Sequence, residues 1–576
     1  MTSTGANGAN GAGTPWRAAE WRPFFAWFAS LWLNPPSGGA GSLAWDRRGK
    51  ETAETRSTQR KDQGGTGGEI GVSERHPTSD GPNRKSQIAN LKSKVPVRLI
   101  GWLALWKVAY LGLVCAAIAL WPRYDEQRAR AVNAGWFERF GLHPPPAQSN
   151  AFARHFITWD AEHYLCLSEE GYVPGAPSCA FYPLWPLLIR WAAPLFAGND
   201  VLAGMVLSNL LSLAGFALFG WMVGRRFGER TAWLAVAFLA LFPGSLFFQF
   251  IYSESLFFLL LMLLCLGLEA GRFWLAFAAA FLLPLTRAVG ILSLGPILLW
   301  LLIRHPPPVL VRWTTRHRRL GWLRDFLGWR DDTPRGNSTG PFEPGASLWS
   351  AAASETRRRF GIRLAGRSRD AQPVATAQGA DFAKCAAGGC CGAESGVAAS
   401  LCHRTPKPGG VPKVRYLLVA APLWGWGLYL LVMCYWTGNP FEGFQAQKYW
   451  GVQSISNLWN LPKFILGFYT PTAWHAFTGS LLDRCAFLFV LMWLPLIWRL
   501  DKVWFLWALA LGVFPAVSGT FCSFTRFASA VFPVFAAMAA WLGTPDRRFM
   551  RWLALAAFAA LHLVLAWRFL TYRWAG

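Results

Sequence analysis

The chain has 576 residues, of which 53% are hydrophobic and 15% charged, with 34 Trp and 43 Phe. A soluble domain carries about 25% charged residues, so the composition excludes an ordinary soluble protein. The formal charge of +25 is of nucleic-acid-binding size, but nineteen Lys/Arg against eight Asp/Glu fall in the single segment 304–415. Basic loops of that kind orient membrane spans, and no nucleic-acid partner is expected.

In chain order, residues 1–96 open on Gly/Ala/Asn/Thr repeats and stay polar and Gly-rich, which predicts a disordered cytoplasmic tail. The apolar piece 23–33 within it is too short to span. A first span near 98–121 leads to a long outer segment, 122–200, with Pro144-Pro145-Pro146 and the short apolar piece 184–196. Spans near 201–223, 231–249 and 254–270 follow, separated by the basic turn Arg225-Arg226 and a short turn at 250–253. The stretch 273–303 would be about 46 Å as one helix, too long for one crossing. Pro284 and Arg287 divide it into two short spans meeting near the outer surface. The basic loop 304–415 is then cytoplasmic and mostly disordered. Span 416–436, the second outer segment 437–483, and spans near 485–499, 503–521, 526–543 and 552–570 complete the chain. The fold class is thus an all-α polytopic membrane protein of about eleven spans. Its N-terminal module is 97–303 and its C-terminal module 416–576.

Charged groups near membrane depth are functional candidates by default. Asp160 stands among aromatics in Trp159-Asp160-Ala161-Glu162-His163-Tyr164 and has the chemistry of a general base. Glu254 follows Ser253 at the turn between two spans, where the pair would also serve as an ordinary helix cap and dipole partner. Arg287 and Arg526 each sit at a helix end, where they can bind a lipid phosphate or simply snorkel to the interface. Gly438-Asn439-Pro440-Phe441, with Gln447 and Trp450, combines a turn with amide and aromatic groups, which suit a sugar. Cys385, Cys390, Cys391, Cys402 and His403 fit no standard zinc spacing. Cys166 and Cys179 share the first outer segment, and an oxidising compartment would permit them to pair.

In order, these motifs resemble the GPI second-mannosyltransferase (PIG-V) type family and its bacterial integral membrane relatives. Trp159-Asp160 with Tyr164, Glu170-Gly171-Tyr172 and Ala180-Phe181-Tyr182-Pro183-Leu184-Trp185-Pro186 resembles the family's first-loop signature. Tyr252-Ser253-Glu254-Ser255-Leu256-Phe257 matches a second element. Thr286-Arg287-Ala288-Val289-Gly290 resembles a third, with Ala and Val replacing the family's Pro and Thr. The loop 438–450, with Asn439 for Asp, and Arg526-Phe527 with Phe532-Pro533 complete the set.

The resemblance implies a GT-C glycosyltransferase bundle with its site on the extracytoplasmic face. The donor would be a polyprenyl-phosphate sugar and the chemistry that of a mannosyltransferase. It implies Asp160 as base, Arg287 and Arg526 on the donor phosphate, and Glu254, Gln447, Trp450 and His163 lining the substrate site. Membrane lipids, the lipid-linked donor and a glycan, lipid or protein acceptor are the expected partners. No cofactor is required, since an arginine fork can hold the leaving phosphate. A bacterial plasma membrane is the expected location. The competing expectation is a multi-span transporter or lipid flippase, which would show sequence symmetry between halves and midplane charges.

Overall fold

The computed structural model describes residues 97–131, 135–142, 151–329, 413–450, 461–477, 479–518 and 521–576. The expected tail 1–96, most of the basic loop and the cluster from Cys385 to His403 lie outside them. The described residues are helical, with no strand beyond one isolated bridge between Ala473 and Ser480. The described residues fall into two units, one up to Leu301 and again from Lys413, the other within 302–329.

The first unit begins with α1 (Val97–Leu120), α2 (Asp160–Glu169), α3 (Leu184–Ala192), α4 (Asp200–Phe227), α5 (Glu229–Leu241), α6 (Glu254–Ala270) and α7 (Phe273–Thr286). The apolar helix α8 (Leu294–Arg304) leads out of it, and the second unit holds α9 (Pro308–Arg316) and α10 (Gly321–Leu327). The first unit then resumes with α11 (Leu417–Thr437), α12 (Leu481–Leu500), α13 (Lys502–Ala508), α14 (Phe524–Ala528), α15 (Phe532–Leu542) and α16 (Arg548–Leu570).

Among the described residues, five helices are long and apolar enough to cross a membrane: α1, α4, α11, α12 and the one ending in α16. A sixth would count the broken pair 288–304 and 308–316 as one crossing. The sequence predicts about eleven crossings, and among the described residues uninterrupted helices of full length account for five or six. The difference lies in interrupted helices, and each interruption has a local cause. Pro243 has no amide N–H to donate, so α5 stops at Leu241 and a 3₁₀ turn runs over Pro243–Phe248. The predicted turn at 250–253 thus becomes a buried connection of twelve residues, 242–253. Arg287 takes an extended conformation (φ −156°, ψ 147°), which ends α7 at the predicted break. A π-turn at Leu509–Val513 interrupts the helix begun by α13. Phe532-Pro533 opens α15 after a break at 529–531.

Four of the shorter helices share a geometry that matters for function. α5, α6, α7 and α15 have 13, 17, 14 and 11 residues. At 1.5 Å per residue they run about 17–26 Å, short of a hydrocarbon core of about 30 Å. Their near ends lead into 242–253, 287–293 and 521–531, so irregular backbone gathers at one level within the bundle. Such backbone survives at membrane depth only where protein encloses it, and residues 242–253 are all buried.

At the opposite end Arg226 of α4 ties the bundle, pairing with Glu269 of α6 and, at 3.0 Å, with Asp501 before α13. Its guanidinium lies 4.2 Å from the centre of the Trp504 ring.

Small residues let the helices approach, as membrane packing requires. A Cβ on Gly267 of α6 would lie 2.6 Å from the backbone nitrogen of Ala276 in α7. One on Gly425 of α11 would collide with the carbonyl oxygen of Phe281 in α7. Gly425→Val should therefore force α7 and α11 apart and cost about 1–3 kcal/mol, the usual price of overpacking. A lowered thermal midpoint of the detergent-solubilised chain checks this, with the lipid-side Gly427→Val as control, since nothing lies within 4 Å of that position.

Candidate active site

Four charged side chains that are distant in sequence meet beside these breaks. Asp160 is the first residue of α2, Glu254 the first of α6, Arg287 caps α7, and Arg526 lies in α14. Arg526 Nη1 donates to Asp160 Oδ2 at 2.5 Å. Arg526 Nε lies 2.7 Å from Glu254 Oε1, and Arg287 Nη1 donates to that same oxygen. Two carboxylates and two guanidiniums thus form one chain of ion pairs: Asp160, Arg526, Glu254, Arg287. Asp160, Glu254 and Arg526 are buried, and Arg287 is nearly so. A single charge in this setting would cost several kcal/mol, and breaking one pair would cost about 3–5 kcal/mol.

Aromatic rings complete the enclosure. The Arg526 guanidinium lies 5.3–5.4 Å from the ring centres of Phe247, Tyr252 and Phe527, and that of Arg287 lies 5.0 Å from Phe527. A small cavity is lined by Glu254, Arg287 and Arg526 together with Phe257, Leu511 and Pro515.

Each member of the chain is aimed by identifiable neighbours. Trp159, just before Asp160, has φ +58°, a left-handed conformation costly for a bulky residue. It is held there by stacking on Tyr572 with ring centres 4.9 Å apart, by the edge of Trp574 at 5.2 Å, and by donation from Nε1 to the Arg573 carbonyl at 3.3 Å. Tyr164, one turn along α2, meets the Ser253 hydroxyl at 2.8 Å, beside Glu254. Tyr252 donates to the Thr158 carbonyl at 2.9 Å.

Two further residues position the site and are not among those the motifs point to. Asp483 of α12 is fully buried, and its Oδ1 accepts from the backbone N–H of Thr525 at 2.7 Å and from its hydroxyl at 2.6 Å. That fixes the residue before Arg526. On the other side Gly244 abuts the Thr525 carbonyl so closely that no Cβ fits. Lys107, near the middle of α1, donates to Ser212 Oγ at 2.8 Å, Gln249 Oε1 at 2.9 Å and Asn209 Oδ1 at 3.3 Å. The lysine thereby pins the 242–253 segment that delivers Glu254, level with the middle of a full-length span. An intramembrane lysine is itself a signal, and it could have been found on that ground.

The other predicted residues gather nearby in a second cluster. His163 Nδ1 lies 2.9 Å from Ser178 Oγ, and its ring stacks on Phe181 and meets the edge of Trp450, each at 5.0 Å. Gln447 donates to the Ala180 carbonyl at 3.1 Å and Trp450 to the Pro177 carbonyl at 3.4 Å. Glu442, which the sequence did not single out, accepts from the Gly175 N–H at 2.9 Å. The 438–450 loop therefore clamps the first long segment over 175–181. Tyr164 joins the two clusters, with its ring centre 5.0 Å from Phe181. Cys166 and Cys179 are free and buried, and burial pushes both thiols up to about 12.

Similarity to known proteins follows the same residues. The family described as Mannosyltransferase (PIG-V) matches residues 105–306. The matched stretch contains Asp160, Glu254 and Arg287 but not Arg526. Among named relatives, GPI alpha-1,6-mannosyltransferase 2 of Mus musculus is 31% identical over 147 residues, covering 24% of this chain and 30% of the relative. The Rattus norvegicus protein of the same name is 33% identical over the same share of each chain. The alignment thus spans less than a third of the length of these relatives. No solved structure matches the chain.

Two predictions follow from the supports of the site. Asp483→Asn keeps one acceptor oxygen for Thr525 and should retain the turn. Asp483→Ala leaves two donors unpaired, at about 1–3 kcal/mol each, and should lower the thermal midpoint clearly below that of Asp483→Asn. Burial also lowers the His163 imidazole from 6.5 to about 3. Between those values the unfolded chain binds a proton that the folded chain does not, so stability must fall as pH drops below about 6.5. Thermal midpoints at pH 7.5 and pH 5 should converge in His163→Gln relative to the unsubstituted chain.

Proposed function

We propose that this chain is a membrane mannosyltransferase of the PIG-V type. It moves a sugar from a polyprenyl-phosphate donor to an acceptor hydroxyl, in a GT-C-like bundle whose site opens to the extracytoplasmic side. The observation that carries this reading is the buried ion-pair chain Asp160–Arg526–Glu254–Arg287, drawn from four separate motifs. The basic turns Arg225-Arg226 and Arg547-Arg548, at the helix ends remote from those residues, support the orientation.

Displacing a phosphate from an anomeric carbon needs a base for the incoming hydroxyl and positive charge for the departing oxygen. Asp160 and the two arginines meet both needs, and this scheme calls on no metal. The donor phosphate competes with Glu254 and Asp160 for the guanidiniums. Once it takes Arg526, Asp160 Oδ2 is released to accept the proton of the acceptor hydroxyl. The new C–O bond forms as the bond to phosphate breaks, with inversion at the anomeric carbon, and the lipid phosphate leaves paired with Arg287 and Arg526. Gln447, Trp450 and His163 shape the adjoining substrate wall through the loop clamp.

A transfer assay in membranes with radiolabelled polyprenyl-phosphate mannose tests this. Asp160→Asn should lose roughly 10²–10⁴-fold in kcat, the usual worth of a general base. Arg526→Ala should lose roughly 10²–10³-fold, as when a donor to developing negative charge is removed. Unchanged transfer in both variants would overturn the site. No transfer from any lipid-linked sugar, together with solute uptake into vesicles, would favour a transporter.

A further inference from the structure

The second unit begins with a surface that the transferase reading does not use. Prolines 306–308 introduce α9, whose residues Val309, Arg312, Trp313 and Arg316 are spaced three and four apart. That spacing puts them on one helical face, and all four are exposed. Thr314, on the far side of the helix, is buried. The pattern continues past the turn into α10 with exposed Arg319 and Trp322. Between 305 and 329 the chain has five Arg and one Asp. Val309, Trp313 and Trp322 are 69%, 49% and 64% exposed, too much apolar surface for a face meant only for water.

We propose that this face is an interfacial membrane-docking element, seated among the phosphate headgroups of anionic lipids in the leaflet next to the end of α8. Three observations select that occupant. Apolar side chains and arginines interleave on the same stripe, which suits the boundary where acyl chains give way to phosphates. Aromatic rings of Trp type prefer that boundary. The stripe starts within a few residues of the apolar helix α8, so the chain itself holds it within about 20 Å of that helix end.

Coverage by the remainder of the basic loop is disfavoured by charge. Residues 330–412 hold eleven Lys/Arg against seven Asp/Glu, the same sign as the stripe. An anionic leaflet attracts each arginine near its surface, and the attractions add.

The test uses the full chain in lipid nanodiscs, with an environment-sensitive fluorescent amino acid at position 309, on the stripe, or at position 315, off it. In nanodiscs of mixed phosphatidylcholine and phosphatidylglycerol, emission from 309 should shift to the blue and be quenched by brominated acyl chains, while 315 stays water-like. In pure phosphatidylcholine the shift at 309 should shrink. Replacing Arg312, Arg316 and Arg319 with Gln should lower its docked-to-undocked ratio on the order of a hundredfold. Water-like emission at 309 in the anionic discs overturns the proposal. So does a blue shift there that ignores both lipid charge and the triple substitution, since that would assign the cover to protein. The readout is independent of sugar transfer.

Discussion

Four charges held together away from water are the constraint on which the rest of the structure depends. An arginine cannot lose its charge in a protein, so Arg526 must be matched where it is buried. Asp160 and Glu254 match it, and Arg287 balances the second carboxylate. Both arginines converge on one oxygen of Glu254, so in the proposed reaction an arriving phosphate would meet guanidiniums already in place. No reorganisation of side chains from distant surfaces is needed, which is the condition for effective electrostatic catalysis.

Holding that network requires a frame that ends short. A full-length helix would carry Glu254 or Arg287 out to the membrane surface, where water would screen it. The breaks at Pro243, Arg287 and 529–531 stop the helices early and leave loops at depth. Those loops are then tied down one by one. Lys107 secures the segment leading to Glu254, Asp483 the residue before Arg526, and the Tyr572 and Trp574 rings the strained Trp159. The strain at Trp159 is modest, of order 1–3 kcal/mol, and the aromatic contacts offset it while directing Asp160 at Arg526.

The apolar pattern made the all-helical membrane class legible, because the lengths that span a bilayer leave a compositional mark. The break at Arg287 was legible too, from Pro284 and from a stretch too long for one crossing. The lengths of the continuous helices were not. Hydropathy registers that 231–249 and 503–521 are apolar, but not that a proline or a π-turn divides them into pieces that stop within the bundle. The short turn predicted at 250–253 likewise became part of a long buried connection. Exposure depends on what packs over a turn, and here Tyr164 of α2 and Phe569 near the end of α16 do so.

The sequence by itself determined which charged residues were candidates for chemistry. Asp160, Glu254, Arg287 and Arg526 stand out because a charge among apolar residues is costly wherever the chain folds. Only the tertiary structure decided which of them meet. Asp160 and Arg526 are 366 residues apart, and their pairing depends on helix lengths, on Gly244 admitting the Thr525 carbonyl, and on the buried Asp483. It also parted His163, Gln447 and Trp450 from the charged chain and set them in the neighbouring loop clamp. Ring stacking and amide-to-carbonyl bonds act only at contact distance, so sequence position alone does not encode them.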